Sequence, residues 1–115
     1  WEEVRRHPET GYRIASSSPE MKPVAEYILQ HHEYWDGSGY PRGLKGADIH
    51  LYARMLAIAD AYSAMTSPRP YRESLSHEEA LGELTRLKGV QFDPRLVDIF
   101  VSLVDMEINA LKELN

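Results

Sequence analysis

Cysteine is missing from all 115 residues, which excludes disulfides, thiolate zinc sites and cysteine nucleophiles. Any bound metal must therefore use nitrogen and oxygen donors. A cationic surplus is missing too: 13 Lys and Arg stand against 18 Asp and Glu, a net charge of −5. That balance argues against a broad electrostatic grip on a nucleic-acid polymer or an anionic membrane, so an anionic ligand has to be held locally. No apolar run approaches the roughly 18 residues of a membrane span, and no basic-then-apolar opening resembles a signal peptide. A cytoplasmic location is expected. Nor do β-branched and aromatic residues alternate over a run long enough for a strand, and the expected class is all-α.

With 43% apolar and 27% charged residues, the chain can afford a packed core, and its length suits one domain and not two. It opens on Trp1 inside a charged, helix-compatible stretch, which is read as a piece of something longer.

A short helix is expected over Glu2 to Arg6, and a second from Pro8 that fades at Ser16–Ser18. Ser18 and Pro19 should open a third, whose Met21, Val24, Ala25, Ile28 and Leu29 form a core-facing stripe and which runs to His31. From Glu33 to Asp48 the sequence holds several glycines, a Gly-Tyr-Pro run and few aliphatics, which reads as a loop of about 15 residues without periodic structure. A loop that long is usually functional or disordered; Tyr34, Trp35 and Tyr40 favour an ordered loop folded over something. The next helix, Leu51 to Ser67, places Leu51, Met55, Ile58, Tyr62 and Met65 on one face and should sit at the centre. Ser76 with Glu79 reads as a capping box opening a helix to about Lys88, stopped by Gly89. Asp93 and Pro94 open another through Leu96, Val97, Phe100, Leu103 and Val104, with Met106 to Leu114 as its continuation.

Three constellations carry chemistry. His7, His31, His32 and Asp60 are the donor types that suit iron, manganese or zinc. Adjacent helical side chains diverge by about 100°, so the His31–His32 pair suits two ions better than one. Two ions could grip a phosphodiester and neutralise charge on the attacking and leaving oxygens. The plain alternative is a partly exposed helix end. Asp60 shares a stripe with Ala53, Leu56, Ala57 and Ala64, so burial of its carboxylate would demand a cation. Either a metal or an arginine such as Arg54, Arg69 or Arg72 would serve. The Asp36-Gly37-Ser38-Gly39-Tyr40-Pro41 run lacks the calcium-loop spacing and offers a tight, amide-rich loop beside a ligand, or simply a structured turn. Arg69 and Arg72 supply two guanidiniums that match phosphate geometry or form a solvated patch.

Taken in order, His31-His32-Glu33, Asp36 to Pro41, Gly43-Leu44-Lys45-Gly46, Ala53-Arg54, Ala59-Asp60-Ala61-Tyr62, Arg69-Pro70-Tyr71-Arg72 and Phe92-Asp93-Pro94 closely resemble the HD-GYP family. This family belongs to the HD superfamily of metal-dependent phosphohydrolases. The resemblance runs from about His7 to Val104. It implies an HD-superfamily-like helical bundle and a phosphodiesterase that hydrolyses cyclic di-GMP to the linear dinucleotide or GMP in bacterial signalling. It also implies a di- or trinuclear iron or manganese centre. By this resemblance His7, His31, His32 and Asp60 are metal ligands, with His31, His32 and Asp60 at the catalytic centre. Gly39, Tyr40 and Pro41 then line the nucleotide site, and Arg69 and Arg72 hold phosphates. The resemblance implies cyclic di-GMP and an upstream receiver or sensor module as partners; a diguanylate cyclase is the example partner of a binding-only domain. A second copy is expected to cover apolar surface left exposed by missing N-terminal helices.

Three positions depart from the family pattern. No His-Asp dipeptide occurs, so residues 1–115 are expected to be a partial domain lacking its N-terminal helices and nearly inactive alone. Ser63 stands where a second aspartate is usual, which favours the alternative of a degenerate domain that binds cyclic di-GMP or a partner protein without turnover. His50 replaces a proline, which bears on the start of the central helix.

Overall fold

The computed structural model describes residues 13, 19–68, 70–71 and 73–114. The helices expected over Glu2 to Arg6 and from Pro8 to Ser18, together with His7, Arg69 and Arg72, lie outside the described residues. Among those described, four α-helices form a bundle without a strand, and the all-α expectation holds.

Helix α1 spans Lys22–Gln30 and follows a 3-10 turn over Pro19–Met21. Pro23 sits in its first turn, where the missing N–H costs nothing. Ala25 and Leu29 are buried, whereas Met21 and Val24, expected in the core, are exposed. The periodicity was sufficient to mark an apolar face, but among the described residues only part of that face is covered.

Helix α2 spans Leu51–Thr66. His50 starts it: its Nδ1 accepts the Tyr52 N–H at 3.1 Å, so the residue in the place of the usual proline is a side-chain cap. As expected, α2 is central and packs against α1 and against the two helices that follow it, α3 (His77–Arg86) and α4 (Pro94–Glu113). Its face is not buried throughout. Ala53 and Ile58 are enclosed, while Leu51 is 44% and Met55 50% exposed. The N-terminal half of α2 instead borders an open apolar groove of about 430 Å³ shared with Leu96, Ile99, Phe100 and Leu103 of α4.

In α3 the capping box is complete. Ser76 Oγ accepts the Glu79 N–H at 3.1 Å, and Glu79 Oε1 accepts the Ser76 N–H at 3.0 Å. The helix ends at Arg86, and Gly89 takes a left-handed φ of +77° that a side chain would resist. Asp93 caps α4 by accepting the Arg95 and Leu96 N–H groups, and the helix continues unbroken through the 106–113 stretch.

Ile58, Leu81, Leu84, Phe92 and Val97 form the core where α2, α3 and α4 meet. Full burial of each such side chain contributes about 1.5–3 kcal/mol. Beside this core Arg54 Nη1 meets Asp93 Oδ2 at 2.6 Å, with both side chains largely shielded, while Arg54 Nε donates to Ile49 O. This pair ties α2 to the cap of α4. No helix among the described residues is long and apolar enough to cross a membrane.

Candidate metal and nucleotide site

The site begins where α1 runs out. The Glu33 N–H returns to Gln30 O at 2.9 Å, closing the last turn, and the two histidines fall at this break. Their ring centroids are 4.0 Å apart with a 41° tilt, so the rings lie side by side instead of fanning apart as on a continuing helix. His31 Nδ1 lies 2.6 Å from Ile28 O. A carbonyl can only accept, so Nδ1 carries the proton, and in the neutral ring Nε2 keeps its lone pair for a ligand or metal.

The loop after the histidines is ordered, as the aromatics led one to expect, and it folds against the turn between α3 and α4. Trp35 N–H donates to Gln91 O at 3.1 Å and Asp36 N–H to Val90 O at 2.9 Å. Asp36 Oδ1 accepts both the backbone N–H and the hydroxyl of Ser38, and these hydrogen bonds hold the Asp36 carboxyl below its usual range.

Glu33 is the residue that sequence reasoning quoted within a motif without giving it a task. It is 3% exposed, and its carboxylate accepts the N–H groups of Arg42 (2.9 Å), Gly43 (2.8 Å) and Leu44 (3.1 Å). Three amides offset the cost of burying the charge and draw the far side of the loop back onto the end of α1. The only signal in the sequence was an acid preceding a glycine-containing turn, and such a signal has no characteristic spacing.

Gly39 brings the two sides of the loop into contact. A Cβ there would stand 2.4 Å from Tyr34 N and 2.7 Å from His32 O, both fixed backbone atoms. That approach lets the Tyr40 ring stack on His32, with centroids 5.3 Å apart and planes within 10°. The Tyr40–Pro41 peptide is cis. Burial raises the Tyr40 phenol above its ordinary range, with a smaller contribution from Tyr34, so it stays protonated at neutral pH.

Asp60 approaches from α2. It lines one cavity of about 160 Å³ together with His31, His32, Tyr40 and Gln91, over a floor of Ala57, Ala61 and Ala64. His31, His32, Asp60 and Tyr40 are thus brought together. The Asp60 side chain is exposed to this cavity and is not sealed in the core as its alanine-rich stripe suggested. Alanines leave space above the helix instead of closing it. Of its proposed partners, Arg54 is committed to Asp93, and among the described residues Asp60 has no ion pair. Gly39 and Pro41 belong to the loop bearing Tyr40 and are absent from the cavity lining. Ser63 follows Asp60 by one turn on α2 and is exposed.

The donor set, imidazole and carboxylate facing one cavity, fits a transition metal in kind. Among the described residues no three His, Asp or Glu side chains stand close enough to form a complete cluster.

Comparison with known proteins agrees with this architecture. A family model described as an HD domain matches residues 1–96. A cyclic di-GMP phosphodiesterase of Thermotoga maritima is 43% identical over 105 residues, covering 90% of this chain and 28% of that protein. The cyclic di-GMP phosphodiesterase response regulator RpfG of Xanthomonas campestris is 45% identical over 97 residues, covering 83% of this chain and 26% of the relative. The crystal structure of a cyclic GMP-AMP specific phosphodiesterase of V. cholerae superimposes with a TM-score of 0.77 at 31% identity, covering 90% of this chain and 24% of the other. This chain therefore spans only about a quarter of the length of these relatives. By sequence and by fold, the chain belongs to the HD domain family, in its HD-GYP type.

Proposed function

We propose that the protein carrying this chain is a metal-dependent phosphodiesterase of cyclic dinucleotides, with cyclic di-GMP as its first-choice substrate and the linear dinucleotide or GMP as product. The observation that carries the reading is that His31, His32 and Asp60, drawn from the end of α1 and the middle of α2, line the same cavity as Tyr40. In this reading those three residues and His7 hold iron or manganese ions. When bound, such ions stabilise negative charge as Lewis acids and acidify water.

The chain's own residues do the rest. His31 spends Nδ1 on Ile28 O, which leaves Nε2 as the ring nitrogen with a lone pair to offer. Tyr40, stacked on His32, gives a protonated ring edge and an apolar surface for a nucleobase. Gly39 and Pro41 shape the loop that carries it, and Arg69 and Arg72 contribute guanidiniums to the phosphates. The relatives act on two different cyclic dinucleotides, judging from their names, so the substrate is assigned at the level of that class first.

A second reading is favoured by Ser63. A hydroxyl one turn after Asp60 cannot replace the charge of a carboxylate, and a domain so altered would bind cyclic di-GMP or a partner such as a diguanylate cyclase without hydrolysing it. In either case the proposed setting is cytoplasmic signalling, with an upstream receiver or sensor module as input; one relative is named a response regulator. The groove between α2 and α4 would serve in self-association. Turnover of cyclic di-GMP and of 3′3′-cyclic GMP-AMP by the full-length protein, with and without Asp60→Ala, separates the readings. Hydrolysis abolished by the substitution supports the enzyme; nucleotide binding without product in the unaltered protein supports the binder.

A further inference from the structure

Gln91 has a backbone held on both sides and a side chain without a hydrogen-bond partner among the described residues. Its N–H donates to Leu87 O at 3.1 Å and its carbonyl accepts the Trp35 N–H at 3.1 Å, so it joins the α3–α4 turn to the loop bearing Tyr40. The flanking residues fix it further: Val90 O accepts the Asp36 N–H, and Phe92 is buried in the core. Neither function uses the carboxamide. That group has two donors and an acceptor oxygen, is half-buried, and makes no hydrogen bond among the described residues. No side-chain polar atom among the described residues is both buried and unpaired, so this carboxamide stays open to solvent and is available to a ligand.

The other polar groups of the cavity indicate what it would meet. Glu33 is consumed by three loop amides, and His31 spends Nδ1 on Ile28 O. The His31 Nε2 lone pair and the Asp60 carboxylate are acceptors. Gln91 lines the same cavity, and its carboxamide has the neutral N–H donors that these acceptors lack. Such a donor can bind an anionic oxygen without introducing a cation that would repel a metal.

We infer that Gln91 is a substrate-binding residue, donating from its side-chain amide to a non-bridging phosphate oxygen of the cyclic dinucleotide. The inference rests on the function proposed above. A contact made equally in the ground and transition states lowers KM and leaves kcat largely alone.

The test uses the full-length protein and two variants of nearly unchanged shape, Gln91→Met, which removes all hydrogen bonding, and Gln91→Glu, which replaces the donors with charge. KM and kcat on cyclic di-GMP, bound metal and melting temperature are measured for each. Loss of a hydrogen bond to a charged group predicts a KM raised by about tenfold or more in Gln91→Met, and by more in Gln91→Glu. Metal content and melting temperature should stay unchanged, and kcat should remain within about twofold. Unchanged KM in both folded variants overturns the inference and leaves the proposed function standing. Loss of metal or of stability in place of a KM effect also overturns it, because the residue would then act on the scaffold. Absence of turnover in the unaltered protein overturns the proposed function and this role together.

Discussion

Gly39 and Glu33 show how little freedom the loop has. A methyl group at position 39 would collide with backbone atoms of Tyr34 and His32, neither of which can rotate away. Gly39→Ala is therefore expected to push the loop outward, cost about 1–3 kcal/mol of stability and weaken nucleotide binding by separating Tyr40 from His32. Urea denaturation and nucleotide titration of the variant check both. The candidate site residues were legible beforehand because imidazoles, a carboxylate and a glycine–tyrosine–proline run are distinctive as types. Their partners were less so. Glu33 is satisfied by backbone amides 9 to 11 positions away, and Arg54 is taken by Asp93 across 39 positions. No local period encodes either contact. Asp60 faces an open cavity, whereas its alanine-rich stripe suggests a buried carboxylate that needs a cation.

Among the helices, the starts of α3 and α4 were visible in the sequence because capping is local chemistry. Ser76 with Glu79, and Asp93 with Pro94, each act within one turn of themselves. Asp93 does more than cap: it also closes the shielded pair with Arg54. Asp93→Ala would leave Arg54 uncompensated and should cost about 3 kcal/mol or more, measured as a shift in the denaturation midpoint. Ser76→Ala, which removes only a cap, should cost about 1 kcal/mol. The exposed carboxyls of Glu79 and Glu83 add a pH dependence. Hydrogen bonds from Ser76 and from Arg86, respectively, hold both below their ordinary value of 4.5. Groups depressed in the folded state contribute stability above their unfolded value and lose it as the pH falls through the folded one. Melting temperature should therefore be insensitive to these groups from about pH 5 to 8 and should decline below about pH 4.5. Ser76→Ala should reduce the part of that decline due to Glu79.

The bundle has a closed side and an open side. Ile58, Leu84, Phe92 and Val97 close it where α2, α3 and α4 meet, while Met55 of α2 and Leu103 of α4, 58% exposed, border the groove. Hydrophobic periodicity revealed which faces are apolar, which is why the fold class could be read early. It carries no information on what lies across from a face, so Met21, Val24, Leu51 and Met55 were expected inside and are not. The closed side positions the site: α2 carries Asp60, and the α3–α4 turn pins the loop that carries Tyr40 beside His31 and His32. The most direct measurement is the transition-metal content of the purified full-length protein, compared between the unaltered chain and Asp60→Ala. About two or three iron or manganese ions per chain, with a marked loss in Asp60→Ala and hydrolysis lost in parallel, is the predicted result. A metal-free protein that still hydrolyses cyclic dinucleotides, or a metal content indifferent to Asp60, would contradict the account.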